Sequence, residues 1–182
     1  MKPKIQNGHM HAWCVYKPTS WRHYISLFVS VVVGKLLKVQ SVTTHIPLEL
    51  QHLIYQPKTK GEKLIKFGMS VAALFRTKLY WENAPLLNYG TWDLKHGQTE
   101  WDLVSKGIPL CLDTGHLILG AASLEEAQKR IRDIIAERGE QIKHLHIHEN
   151  DLLHDNHRPP EKIVTPEILS LIISGRTYIF EE

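Results

Sequence analysis

Residues 108–150, IPLCLDTGHLILGAASLEEAQKRIRDIIAERGEQIKHLHIHEN, decide the fold. A helix is predicted over Leu124 to Arg138. Ser123 and Glu126 form an S-x-x-E capping box, Leu124, Ala127, Ile131, Ile134 and Ile135 recur at helical spacing, and Gly139 closes the element. After it, QIKHLHIHEN alternates with period two, setting Leu145 and Ile147 on one face and His144, His146 and His148 on the other. Before it, IPLCLD is a short apolar run ending in Asp113, which reads as a buried strand running into the TGHLILG loop. Strand, helix and strand in that order imply a parallel pair joined by a helical crossover.

The same pattern recurs on either side. Apolar runs ending in a polar residue appear at KLYWEN, which reaches Glu82, and at TYIFEE, which reaches Glu181. Within the first, alternation sets Glu82 with Tyr80 and turns Leu79 and Trp81 toward the helices. Six strands are expected: Ile5 to His11, Gln40 to His45, Leu79 to Glu82, Pro109 to Asp113, Ile142 to His148 and Thr177 to Glu181. Between them lie predicted helices over Gly61 to Arg76, within Trp21 to Leu37, and over Pro166 to Ser174 with Thr165 as cap. ENDLLHDNHRPPEK is a polar loop long enough to be functional. The expected fold class is α/β, a (β/α) TIM-type barrel in incomplete form, since a closed eightfold barrel takes about 250 residues. A doubly wound open sheet is the alternative, but no Gly-rich phosphate turn follows the first strand.

Composition narrows the function classes. The chain has 182 residues, 43% of them hydrophobic, enough for one core, and is expected to form a single domain over 1–182. A net charge of +3 neither demands nor excludes a phosphate-bearing partner. The longest apolar stretch, Ile25 to Val33, is broken by Ser26 and Ser30 and falls short of the roughly 20 residues that span a bilayer. MKPKIQNGHMHAW has no apolar core of the kind a secretory signal needs. Cys14 and Cys111 form no CxxC spacing, so a reducing, cytoplasmic setting is expected. Twelve histidines are the compositional outlier.

In parallel barrels, catalytic groups come from the C-terminal ends of several strands. Glu82, Asp113, His146 and Glu181 each close a predicted strand. Three carboxylates and an imidazole converging on one cavity would repel unless a cation held them, and mixed O and N donors suit a divalent metal. Each residue alone has an ordinary structural explanation. A lone strand-end Glu is commonly a cap or solvated, and Asp113 in D-T-G-H can cap the segment after it. Period two does not choose among His144, His146 and His148, which could also form a solvated edge. His9, His23, His52 and His96 read as surface residues.

ENAP at Glu82, CLDTGH at Asp113 to His116, HIHEND at His146 and the D-x-H of Asp155 and His157 resemble the xylose-isomerase-like TIM barrels, in a form shortened at its N-terminus. That superfamily joins sugar isomerases and epimerases to zinc-dependent apurinic-site endonucleases. The resemblance implies metal ligation by Glu82, Asp113, His146 and Glu181, and it is what selects His146 over its neighbours. It places His116 beside the substrate or a second metal, and adds His11, His45, Asp155 and His157 as further ligands. Two activities follow from it. A divalent-metal-dependent (Mn2+, Zn2+, Co2+ or Mg2+) sugar or sugar phosphate isomerase or epimerase would use Glu82 and Glu181 as proton carriers through an enediolate. An apurinic/apyrimidinic endonuclease would use two or three metals to hydrolyse a phosphodiester.

The nearly full ligand complement favours the second activity. HIHEND-LLHDNHRPP and the lack of a long basic loop interleaved with aromatics favour the first, which is preferred. The chain departs from the family pattern at Glu149, where an aspartate is common, and at EKIV, which replaces a Gly-Glu-Gly turn. A shortened barrel would expose strand edges, so homo-oligomerisation, or an inactive metal-binding relative, is a third expectation.

Overall fold

Asn7 and Gly8 adopt φ values of 49° and 80° and turn the first strand back on itself. Both residues of a tight type I′ hairpin need positive φ, which Asn and Gly tolerate best. The single strand expected over Ile5 to His11 is therefore two, β1 (Lys4–Gln6) and β2 (His9–His11), paired antiparallel. The computed structural model describes residues 4–12, 21–45, 59–83 and 107–181. His52, His96 and Cys14 lie outside them.

Contacts divide the chain into two compact units, 1–82 with 100–108 and 83–99 with 109–182. In the first, β2 pairs parallel with β3 (Ser41–His45), and β3 pairs parallel with β4 (Leu79–Glu82). The crossovers are α1 (Trp21–Leu36) and α2 (Thr59–Phe75). On α1 the buried residues Leu27, Ser30, Val31 and Gly34 follow the i, i+3, i+4, i+7 stripe of a helix lying on a sheet. Edge-to-face pairs, Tyr24 with Phe67 and Phe28 with Phe75, join the two helices. Leu79 and Trp81 reach Gly68 of α2, as their alternation predicts.

In the second unit β5 (Leu110–Asp113), β6 (Ile142–Ile147) and β7 (Thr177–Phe180) pair parallel in that order. Their helices are the short α3 (Thr114–Ile118), α4 (Leu124–Arg138) and α5 (Pro166–Ile173). The α4 bounds match the sequence reading. Ser123 accepts from the Glu126 N–H, but the Glu126 carboxylate reaches back to the N–H of Ala122 rather than to that of Ser123. Thr165 caps α5 through the Ile168 N–H. Leu112, Ile131, Ile142 and Leu145 are completely or almost completely buried, each contributing about 1.5–3 kcal/mol of transfer free energy. Arg176 ties the unit together, donating to the carbonyls of Gly139, Ile142, Ile172 and Ser174. Among the described residues no helix is long and apolar enough to cross a membrane.

Candidate metal centre

The first unit presents His11 at the end of β2, His45 at the end of β3 and Glu82 at the end of β4. One ligand atom from each lies within 4.8 Å of the others. His11 Nε2 stands 2.9 Å from Glu82 Oε2, and its Nδ1 donates to the Ala12 carbonyl at 3.0 Å. The His45 ring tilts against that of His11, 5.0 Å between centroids.

In the second unit Asp113, His146 and Glu181 stand at the C-terminal ends of β5, β6 and β7. The β5–β6 register sets Asp113 directly opposite His146. His146 Nδ1 lies 3.3 Å from Glu181 Oε1 and 4.0 Å from Asp113 Oδ2. Two groups of these side chains each offer three ligand atoms within 4.8 Å of one another: Asp113, His116 and His148, and His148, His157 and Glu181. His157 stacks on His148 at 4.1 Å and approaches Glu181 Oε2 at 3.5 Å and Asp155 Oδ1 at 3.6 Å.

Three of these histidines share one wiring. A carbonyl cannot donate, so the ring nitrogen facing one carries the proton. His11 Nδ1 faces the Ala12 carbonyl, His116 Nδ1 the Asn83 carbonyl at 2.8 Å, and His148 Nδ1 the Glu149 carbonyl at 3.3 Å. That leaves Nε2 beside a carboxylate: Glu82 for His11, Asp155 at 3.3 Å for His116, and Asp113 at 2.9 Å for His148. A neutral imidazole would set its lone pair against a carboxylate. Either a second proton or a cation resolves the repulsion, and a backbone carbonyl fixing the far nitrogen is the usual support of a metal-bound histidine. The donor set fits a divalent metal.

The electrostatics agree with this wiring. Burial opposes the charged form of His148, but the Asp113 carboxylate outweighs it and raises the pKa. Burial also works against Asp155 ionisation, yet the neighbouring His116 and His157 imidazoles hold its carboxyl well below the usual range.

The supporting roles of several residues are absent from the sequence reading. Asn83 accepts from the Asp113 N–H at 2.8 Å and donates to its carbonyl at 2.9 Å, pairing with the strand end through a side chain. Thr114 Oγ1 donates to the His148 carbonyl and accepts from its N–H, at 2.7 and 3.1 Å. A Cβ on Gly115 would lie 1.9 Å from the His148 ring, so the glycine of D-T-G-H makes room for that imidazole. Glu149 is buried and accepts from the N–H groups of Glu161, Lys162, Ile163 and Val164 at 2.6–3.1 Å. The two departures at Glu149 and EKIV thus explain each other, because the longer side chain reaches the turn that replaces Gly-Glu-Gly.

Two expectations are corrected. His9 is buried, not a surface residue, and bonds Ser41 at 2.7 Å, since β2 lies inside the sheet between β1 and β3. His144, His146 and His148 are all buried, which removes the solvated edge. His23 is half-buried.

The chain is similar to a solved D-tagatose 3-epimerase-like protein over 95% of its own length and 70% of that chain, at a TM-score of 0.66 and 17% identity. The fold is that of the xylose-isomerase-like TIM barrels. It is also similar to endonuclease IV from Thermus thermophilus, over 96% of this chain and 68% of that one, at a TM-score of 0.54 and 16% identity. No protein-family model and no curated protein matches the sequence. The expected α/β class and TIM-type architecture therefore hold, with the N-terminal strand replaced by a hairpin. At these identities the likeness speaks to the fold alone.

Proposed function

We propose that this chain is a divalent-metal-dependent isomerase or epimerase of sugars or sugar phosphates. The observation that carries this reading is the Asp113–His146–Glu181 arrangement, a carboxylate, an imidazole and a carboxylate closing three consecutive parallel strands. The similarity to a D-tagatose 3-epimerase-like protein supports it. Asp113, His146 and Glu181 would hold the metal, with His116, His148, Asp155 and His157 beside them in the same unit. A bound Mn2+, Zn2+, Co2+ or Mg2+ would offset the charge that builds on a sugar carbonyl oxygen.

Glu181 is the proton carrier. Its carboxylate lies within reach of His146 and His157 and takes the proton from the carbon beside the carbonyl, giving an enediolate, then returns it to the adjacent carbon on the same face; inversion at one carbon needs a second carboxylate, the role the sequence resemblance gives Glu82. Buried His116, fixed at Nδ1 by Asn83, orients the substrate oxygens. Glu82 enters this reading through the resemblance of its sequence, with His11 and His45 as its neighbours. The buried Cys111, which is in no disulfide, suits a reducing, cytoplasmic setting. The test is incubation of the Mn2+-loaded protein with ketoses, D-tagatose among them, in D2O. Deuterium at the carbon beside the carbonyl supports the proposal, and the absence of exchange across the ketose series contradicts it.

A second reading is a zinc-dependent apurinic/apyrimidinic endonuclease. The observation favouring it is that each unit has its own cluster of donors, more than one ion requires. Cleavage of an abasic-site duplex with zinc supplied supports it, and an intact duplex retires it. A protein that binds metal but fails both assays is the inactive relative.

A further inference from the structure

Cys111 and His144 face each other across the β5–β6 pairing, and His146 stands two residues along the same strand. None of the roles assigned above uses Cys111 or His144. Alternation gives His144 and His146 the same face, and their rings meet edge to face at 5.3 Å. All three residues are buried, with exposures of 0%, 0% and 1%. A thiol sulfur and two imidazole nitrogens, one from each residue, lie within 4.8 Å of one another.

We propose that Cys111, His144 and His146 form a second metal site, a thiolate–imidazole site that prefers Zn2+ or Co2+ over the hard cations that carboxylates hold. Softness decides the preference: a thiolate with two imidazoles suits Zn2+ and its neighbours, whereas Mg2+ and Mn2+ favour oxygen donors. Ligands on a tetrahedral Zn2+ stand about 3.5 Å apart, so donors within 4.8 Å close on the ion by small side-chain rotations. On binding, the sulfur–metal bond replaces the S–H bond, and the thiol proton leaves to solvent.

The surroundings of His144 prepare it for this role. Thr177 Oγ1 donates its single proton to the Lys143 carbonyl at 3.2 Å, so toward His144 Nδ1, at 2.8 Å, it can only accept. His144 therefore carries its proton on Nδ1 and its lone pair on Nε2, the tautomer a metal ligand needs, with the hydroxyl as the orienting partner. A packing role alone would ask only for apolar groups at 111 and 144, and burying an imidazole there costs desolvation that a leucine avoids. His146 Nδ1 faces Glu181 and Asp113, so the two sites meet at this one ring, and filling both at once would also release its N–H proton and leave a bridging imidazolate. The second site does not depend on the sugar-isomerising reading.

The test is Co2+ titration of the chelator-stripped full chain, followed by electronic absorption. The expected result is a sulfur-to-cobalt charge-transfer band in the near ultraviolet that Zn2+ abolishes. Cys111→Ser loses the band, His144→Ala weakens its Co2+ affinity at least tenfold, and Cys14→Ser retains it. No band in the wild-type chain at saturating Co2+, or a band that survives Cys111→Ser, overturns the proposal. X-ray absorption of the Zn2+-loaded wild-type protein needs no variant to fold: sulfur in the zinc shell supports the site, and nitrogen and oxygen alone overturn it.

Discussion

His148 Nε2 stands 2.9 Å from Asp113 Oδ1, both residues having no solvent exposure. In the metal-free protein this pair makes a pH-dependent contribution to stability. The folded pKa of His148 is raised, burial working against the charge and Asp113 more than offsetting it. The contribution is fully present below the ordinary histidine value of about 6.5 and is lost as pH rises through the raised folded value. Thermal unfolding of chelator-treated protein should show Tm falling across that window, with His148→Gln flattening the profile. A profile unchanged by the substitution would contradict the pairing.

For a metal held by the Asp113, His116 and His148 group, metal and proton compete for His148 Nε2, so divalent-metal affinity there should rise with pH over the same interval. Calorimetric titration in buffers of different ionisation enthalpy should show proton release on binding, and less of it for His148→Gln.

Gly115→Ala forces a methyl group into the His148 ring, where a Cβ would lie 1.9 Å from the nearest atom. Displacing a buried ring by that much costs about 1–3 kcal/mol, and the ring cannot remain beside Asp113. Metal affinity should drop at least tenfold in equilibrium dialysis, while far-ultraviolet circular dichroism stays close to wild type.

Glu149→Ala removes the acceptor of four backbone N–H groups and should destabilise the protein by about 2–4 kcal/mol, read from denaturant unfolding. Glu149→Asp, one methylene shorter, should fall between alanine and wild type. If aspartate matches wild type, the link between Glu149 and the EKIV turn is wrong.

These residues show what the sequence made legible. The α4 helix and the β5 and β6 strands were readable because capping box, helical spacing and period-two alternation are local signals. The strand-end placement of Glu82, Asp113, His146 and Glu181 followed from the same patterns. The hairpin at Asn7-Gly8 carried a local signal too, but the apolar run around it read as one strand. Asn83, Thr114 and Glu149 were not readable, because each acts on backbone 12 to 34 residues away and leaves no periodic trace. His148 shared its alternation with His144 and His146, and only the carbonyl at its Nδ1 and the carboxylate at its Nε2 distinguish it.

Glu181→Gln keeps the size of the strand-end side chain and removes its basicity. Turnover in the D2O exchange assay should fall by about 10²–10⁴-fold, with Tm little changed. Full activity in this variant would remove Glu181 from the chemistry.

The central claim, that these histidines and carboxylates hold a divalent metal, is tested most directly by metal analysis of the purified, untagged full chain. The account predicts at least one tightly held divalent ion per chain, one for the isomerase's carboxylate site and more where the second site or a nuclease-type cluster is filled. A chain that carries none, and takes up none on dialysis against Zn2+ or Mn2+, would contradict it.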